Sequence, residues 1–278
     1  MEQNAITDLI MIAGSGAYPL ELAASARRQG VRRLFVLAFK NEADKAIEKL
    51  ADEVVWVPLG HVAMAREALQ KAGIRHAVMV GRVTPTHIFS MRIDKEALRL
   101  LGLLTIRNAH TVFGTAADEL HKIGIELLPA YRFMEAAMPT AGLLSRRAPT
   151  PDEQNDIALG MKVAKATSAL EIGQTVVVKG GAVLAVEALE GTDEAIERAG
   201  RIGGAGAVIV KVAKRGHDMR FDIPVIGTKT IKSIARIKAS VLVVEAGKTI
   251  ILERQKVIAD ADRAGLTLLV VDPAHYNL

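Results

Sequence analysis

Residues 8–30 read DLIMIAGSGAYPLELAASARRQG, and the fold class follows from them. Asp8 to Ala13 is an apolar run of strand length, and Gly14-Ser15-Gly16 is a turn. A helix can start at Pro19 and stop at Gly30, because proline suits the first helical turn and glycine the position beyond the last. Strand-like runs follow at 33–39, 53–57 and 76–80, with helical runs between them at 42–50 and 61–72. Strands that alternate with helices predict a parallel sheet covered on both faces. Helical patterns at about 95–103 and 113–123 and an apolar run at 125–128 complete a Rossmann-like N-terminal domain over residues 1–130.

Residues 131–156 read as a Pro-rich linker, plainest in PTAGLLSRRAPTPDEQND (139–156). Its end is a helix start: Thr150 is the N-cap, Pro151 the first helical residue and Glu153 the reciprocal partner of a capping box. The helix is expected to run to about Leu170 and to open a C-terminal α/β catalytic domain, 157–278, with a mixed sheet. In that domain Thr175–Lys179, Gly180-Gly181 and Ala182–Ala188 form a hairpin pattern, followed by Glu190-Gly191-Thr192-Asp193 and a helix. The theme returns at Ser240–Glu245, Ala246-Gly247-Lys248 and Thr249–Glu253, which predicts a second, weaker copy of the hairpin-then-helix unit. A helix at about 229–238 and a strand at 267–271 finish the chain.

Half of the 278 residues are hydrophobic and 24% are charged, enough for one large core or two medium ones. No apolar run reaches the ~18 to 20 residues of a membrane span, and MEQNAITDLI lacks the features of a signal peptide. The chain has no cysteine, which excludes disulfides and thiolate metal sites and is compatible with a reducing cytoplasm. A net charge of +5 favours an anionic partner: nucleic acid, an acidic membrane surface or a phosphorylated small molecule. Few aromatic residues leave little for base stacking.

The chemistry concentrates in KVAKRGHDMRFDIPVIGTKT (211–230), where Lys211, Lys214, Arg215, Arg220 and His217 crowd Asp218 and Asp222. Phe221, Ile223, Val225 and Ile226 read as a strand carrying Asp222, whose carboxylate calls for a divalent metal or a cation partner if buried. A basic surface loop before an edge strand is the alternative. Gly14, Ser15 and Gly16 stand where a Rossmann-like domain holds phosphate. Pro19 replaces the third glycine and no acid follows the second strand, which disfavours NAD. Gly81 and Arg82 follow the fourth strand at the carboxyl edge of the sheet, where α/β folds bind ligands. Glu187, Glu190 and Asp193 put three carboxylates at a strand-to-helix junction, as Mg²⁺ ligands or as helix caps. The seven histidines form neither HExxH nor an i, i+4 pair, and neither GxSxG nor GxxxxGK[ST] occurs. Zinc, serine-hydrolase and P-loop chemistry therefore have no support.

The ordered set MIAGSGAYPLELA (11–23), EIGQTVVVKGGAVLAVEALEGTD (171–193) and VKVAKRGHDMRFDIPVIGTKTI (210–231) resembles the family of UDP-2,3-diacylglucosamine pyrophosphatases of the LpxI type. The resemblance covers nearly the whole chain. It implies a cytoplasmic enzyme of lipid A synthesis, peripheral to the inner membrane, that hydrolyses a lipid-bearing UDP-sugar to UMP and diacylglucosamine 1-phosphate with Mg²⁺ or another divalent cation, the substrate lying between two domains. It makes Asp222, in RFDxPxIG, the critical catalytic residue. Asp193 and Glu190 are its expected partners, with Asp222 and Asp193 as metal ligands. Lys211, Lys214 and Arg220 would offset the pyrophosphate charge, and Gln174, Lys179, Gly191 and Thr192, within the resembling motifs, complete the expected substrate contacts. Many relatives carry an acidic pair where this chain has Arg107-Asn108-Ala109-His110, which puts a role for those acids in question here. The expected partners are the lipid-linked UDP-sugar and a membrane surface, with a homodimer as a further expectation and nucleic acid not among them. A non-enzymatic nucleotide-sugar sensor is the competing reading.

Overall fold

The computed structural model describes residues 6–83, 92–104, 109–214, 216 and 218–276, with 109 and 110 by backbone alone. The departure at Arg107 and Asn108 lies outside the described residues, as do Arg215 and His217. The chain divides into two units: residues 1–135 with 218–222, and residues 136–217 with 223–278.

Unit 1 is built from β1 (Asp8–Ala13), α1 (Tyr18–Arg28), β2 (Arg33–Phe39), β3 (Glu53–Val57), α2 (Val62–Ala72), β4 (His76–Val80), α3 (Lys95–Gly102), α4 (Ala109–Lys122) and β5 (Glu126–Leu127). Its sheet is wholly parallel, in the order β3-β2-β1-β4-β5. The continuous apolar runs of β1 and β2 are buried on both faces, as a covered parallel sheet requires. One core gathers Ile10, Ile12, Phe35 and Leu37 from the strands with Leu69, Ala117 and Leu120 from the helices. The helix expected at 42–50 is instead a 3₁₀ segment at Lys45–Lys49, held by the Asp44 carboxylate on the Ala46 N–H. Ile47 is its one buried residue, too little apolar face to carry a longer helix.

Unit 2 contains β6 (Gly142–Leu143), α5 (Pro151–Ala169), β7 (Thr175–Lys179), β8 (Ala182–Val186), α6 (Thr192–Gly203), β9 (Val208–Lys211), β10 (Val225–Ile226), α7 (Thr228–Arg236), β11 (Val241–Glu245), β12 (Ile250–Ile251), α8 (Arg254–Arg263) and β13 (Thr267–Val271). Six strands form a mixed sheet, β6-β13-β11-β9-β7-β8. β9, β11 and β13 run parallel, while β7, β8 and β6 are antiparallel to their neighbours. α5 covers one face through Ile157, Met161 and Ala164, and the capping box at its start is formed as the sequence predicts. Gly160 lets α5 come close, since a Cβ there would stand 2.6 Å from Val210 Cγ2. α6, α7 and α8 cover the other face through Ile196, Ile231, Ile234 and Val257.

Two expectations are corrected here. The first hairpin forms, β7 against β8, but the second does not. β11 has β9 on one edge and β13 on the other, so no edge remains for β12, which pairs parallel with β10 in a separate two-stranded sheet. The strand expected to carry Asp222 shrinks to Val225–Ile226. The Asp218 carbonyl accepts the N–H groups of Phe221 and Asp222, which makes 218–222 a turn. Among the described residues no helix is long and apolar enough to cross a membrane.

Candidate functional site

The first candidate element is the glycine turn of unit 1. Gly14 donates to the Val80 carbonyl, and Ser15 and Arg82 exchange backbone hydrogen bonds of 2.7 and 3.0 Å, so the loops after β1 and β4 lie back to back. A Cβ on Gly14 would stand 2.4 Å from the Arg82 carbonyl oxygen, and one on Gly81 2.7 Å from the Gly14 carbonyl carbon. Glycine is required at both. The Ser15 hydroxyl is spent on the Arg82 carbonyl. What remains for an anion is the start of α1, where the N–H groups of Gly16, Ala17 and Tyr18 have no acceptor among the described residues, together with the exposed Arg82 side chain.

The second element is the turn 218–222, which belongs to unit 1. The Met219 carbonyl accepts the Ala130 N–H, and the Phe221 ring packs on Phe113 of α4 at 5.9 Å between centroids. Arg220 chelates the Asp218 carboxylate with its Nε at 3.0 Å and Nη2 at 2.6 Å, which raises the guanidinium pKa and neutralises both groups. Asp222 is half-buried, and its carboxylate makes no hydrogen bond or ion pair among the described residues.

The third element is the N-terminus of α6 in unit 2. Gly191, with φ of 88°, precedes the helix and supplies no side-chain cap, leaving the first N–H groups open. Lys211 closes β9 and is only 6% exposed, yet it forms no ion pair among the described residues. Its ammonium donates to the hydroxyls of Thr192 at 2.9 Å and Thr175 at 3.3 Å. Thr192 in turn donates to Glu187 Oε1 at 2.8 Å. An open helix N-terminus beside a buried lysine is suited to a phosphate.

The other expected residues are placed as follows. Lys214 pairs with Glu171. Glu190 is exposed and pairs with Arg198 at 2.7 Å; burial alone would raise its pKa, but the Arg198 hydrogen bond and charge lower it. Asp193 accepts from Ser233 and pairs with Lys229, tying α6 to α7. Lys179 donates to the Gly203 carbonyl at 2.6 Å, at the opposite end of α6 from Thr192. Gln174 is half-buried, and its carbonyl accepts the Val212 N–H. The structure thus gathers Gly14, Ser15, Gly81 and Arg82 in one place and Gly191, Thr192 and Lys211 in another. Asp222 belongs to unit 1, and Asp193 and Glu190 to unit 2. Among the described residues no three Asp, Glu, His or Cys cluster as a metal cage. Sequence reasoning missed Glu245, fully buried at the carboxyl end of β11 and paired with Lys165 of α5. An acid ending the apolar run VLVVE was the available signal.

The fold is that of a two-unit α/β protein, a parallel sheet in one unit and a mixed sheet in the other. Residues 8–137 match the LpxI N-terminal domain and 140–269 the LpxI C-terminal domain, and the chain belongs to the LpxI family. It is 32% identical over 274 residues to the UDP-2,3-diacylglucosamine pyrophosphatase LpxI of Caulobacter vibrioides, covering 95% of this chain and 97% of that protein. Among solved structures it is similar to the biotin carboxylase domain of a thermophilic 2-oxoglutarate carboxylase, at 14% identity and a TM-score of 0.28 over 72% of this chain and 33% of that one. It is also similar to N5-carboxyaminoimidazole synthetase of Staphylococcus aureus, at 16% and 0.24 over 66% and 40%. Likenesses that low carry no argument.

Proposed function

We propose that the protein hydrolyses the pyrophosphate of UDP-2,3-diacylglucosamine to UMP and 2,3-diacylglucosamine 1-phosphate, with residues of both units contributing. Kinship to a relative of that name along nearly its full length supports the substrate. The observation that carries the chemistry is Asp222: on a turn where Asp218 and Arg220 neutralise each other, its half-buried carboxylate is left without a partner among the described residues.

In this reading Lys211 and the α6 N-terminus hold one phosphate, and the α1 N-terminus with Arg82 meets the nucleotide portion. Both act by positioning and by offsetting charge. Asp222 orients the attacking water and takes a proton from it. The water oxygen bonds to one phosphorus, and the bridging P–O bond breaks with its electron pair leaving on the other phosphate. A divalent cation fits the donor set present, since Mg²⁺ uses one or two carboxylates with phosphate oxygens and waters, and Asp222 offers one such carboxylate. Bound there, it would supply charge neutralisation and a more acidic water. Peripheral attachment to an anionic bilayer on the cytoplasmic side is part of the proposal, supported by the net charge and by exposed Leu98 and Leu103 on and just after α3, which also carries exposed Lys95.

The test is UMP release with and without Mg²⁺ by the wild type and Asp222→Asn. Removing a group that handles the proton should lower the rate about 10²- to 10⁴-fold while UDP still binds. An Asp222→Asn enzyme as active as the wild type would sink the assignment. UDP binding without hydrolysis by the wild type under any metal would favour the sensor.

A further inference from the structure

The third element holds a carboxylate that the proposed chemistry does not use. Glu187 follows β8 and is 9% exposed. Its N–H bonds the Thr175 carbonyl at 2.8 Å, and its own carbonyl is so close to Gly173 that a Cβ there would stand 2.0 Å away. Its backbone is therefore locked to the first residue of β7, which lies opposite Lys211 in the sheet register. Oε1 accepts from Thr192, and Oε2 is buried with no partner among the described residues. Glu187 and Lys211 do not pair directly. An ammonium has only protons to give and a carboxylate only lone pairs, so the Thr192 hydroxyl is the group that can serve both, accepting from one and donating to the other.

We propose that Glu187 is a positioning residue. By accepting the Thr192 hydroxyl's hydrogen bond it turns the hydroxyl lone pairs toward Lys211 and keeps the ammonium aimed at the open N-terminus of α6, with one N–H left for an anion. This rests on the reading of that place as the phosphate site. A buried ammonium and a buried carboxylate joined through one hydroxyl form a unit in which each charge is compensated at one remove. A direct Glu187–Lys211 pair would have quenched the site, as Arg220 and Asp218 quench each other elsewhere.

The experiment measures UDP affinity by calorimetry for Glu187→Met, Glu187→Gln, Thr192→Val and the Glu187→Met/Thr192→Val double variant, with the melting temperature of each. Glu187→Met and Thr192→Val should each weaken UDP binding about 10- to 100-fold, the scale of a lost hydrogen bond to a charged group. The double variant should be no weaker than either single one, because the three residues act as a unit. Glu187→Gln keeps an acceptor for Thr192 and should recover binding to within about threefold of the wild type. Glu187→Met binding as tightly as the wild type overturns the proposal. So do equal losses in Gln and Met, additive losses in the double variant, losses that merely follow the melting temperature, or a wild type that binds no UDP. Failure of the hydrolysis reading looks different: the wild type binds UDP and releases no UMP, while the affinity series still decides the role of Glu187.

Discussion

Glu153 at the start of α5 sets a pH dependence whose size can be worked from its surroundings. Its side chain is 13% exposed and holds Arg147 Nη2 at 2.8 Å. Its other oxygen accepts the Thr150 N–H at 2.8 Å, and Arg147 goes on to Thr267 Oγ1 at 2.6 Å. Burial alone would raise the carboxyl pKa. The hydrogen bonds from Arg147, Ser240 and Thr150, with the Arg147 charge, bring it from 4.5 down to about 2. At about 1.4 kcal/mol per pH unit, that lowering contributes about 3 kcal/mol of stability at neutral pH. Because the folded-state value is the depressed one, the contribution is complete above pH 4.5 and disappears as pH falls through about 2. Glu153→Gln removes it. The assay is urea unfolding of both proteins from pH 7 to pH 3, followed by far-UV circular dichroism, because the single tryptophan, Trp56, lies in unit 1 and Glu153 in unit 2. The gap between the two should be about 3 kcal/mol at pH 7 and shrink to about half by pH 3. An unchanged gap would mean that packing or the cap geometry, and not the carboxylate charge, is what Glu153 contributes.

Lys165→Ala leaves the fully buried Glu245 without its cation and should destabilise unit 2 by about 3–5 kcal/mol, whereas Lys165→Met with Glu245→Leu should recover most of that in the same circular dichroism assay. Gly14→Ala drives a methyl into the Arg82 carbonyl, with backbone on both sides, and should cost at least about 1–3 kcal/mol, read as a lower urea midpoint in Trp56 fluorescence from unit 1.

What the sequence made legible was decided by periodicity and punctuation. The N-terminal strand, glycine turn and helix, the Thr150 capping box and the first hairpin all have local causes, so local reading found them. The second hairpin had the same local signs, two apolar runs around a glycine, and still did not form. Whether two runs pair depends on which sheet edges are free, and β11 has none. The site divides the same way. Residue types pointed to Lys211 and Asp222, but spacing along the chain could not show that Lys214 and Arg220 are occupied by Glu171 and Asp218 while Lys211 is left to hydroxyls. Nor could it set Lys179 at the far end of α6.

Phe221 and Asp222 carry that lesson furthest. The apolar run Phe221, Ile223, Val225 and Ile226 reads as one strand, but two of its side chains, Phe221 and Ile226, pack in different cores. Val225 and Ile226 join unit 2 as β10, whereas Phe221 packs into the core of unit 1, with the five residues 218–222 counted there. The match to the LpxI C-terminal domain runs through these same residues, so a segment that is C-terminal by sequence is N-terminal by packing. The turn that carries Asp222 is therefore positioned by Phe113 on α4 and by the backbone at Ala130, residues 95 and 78 positions before the first residue of the β9 strand that precedes it. An isolated C-terminal half would keep the α6 N-terminus, Lys211 and Glu187, yet lack the surface that folds the turn.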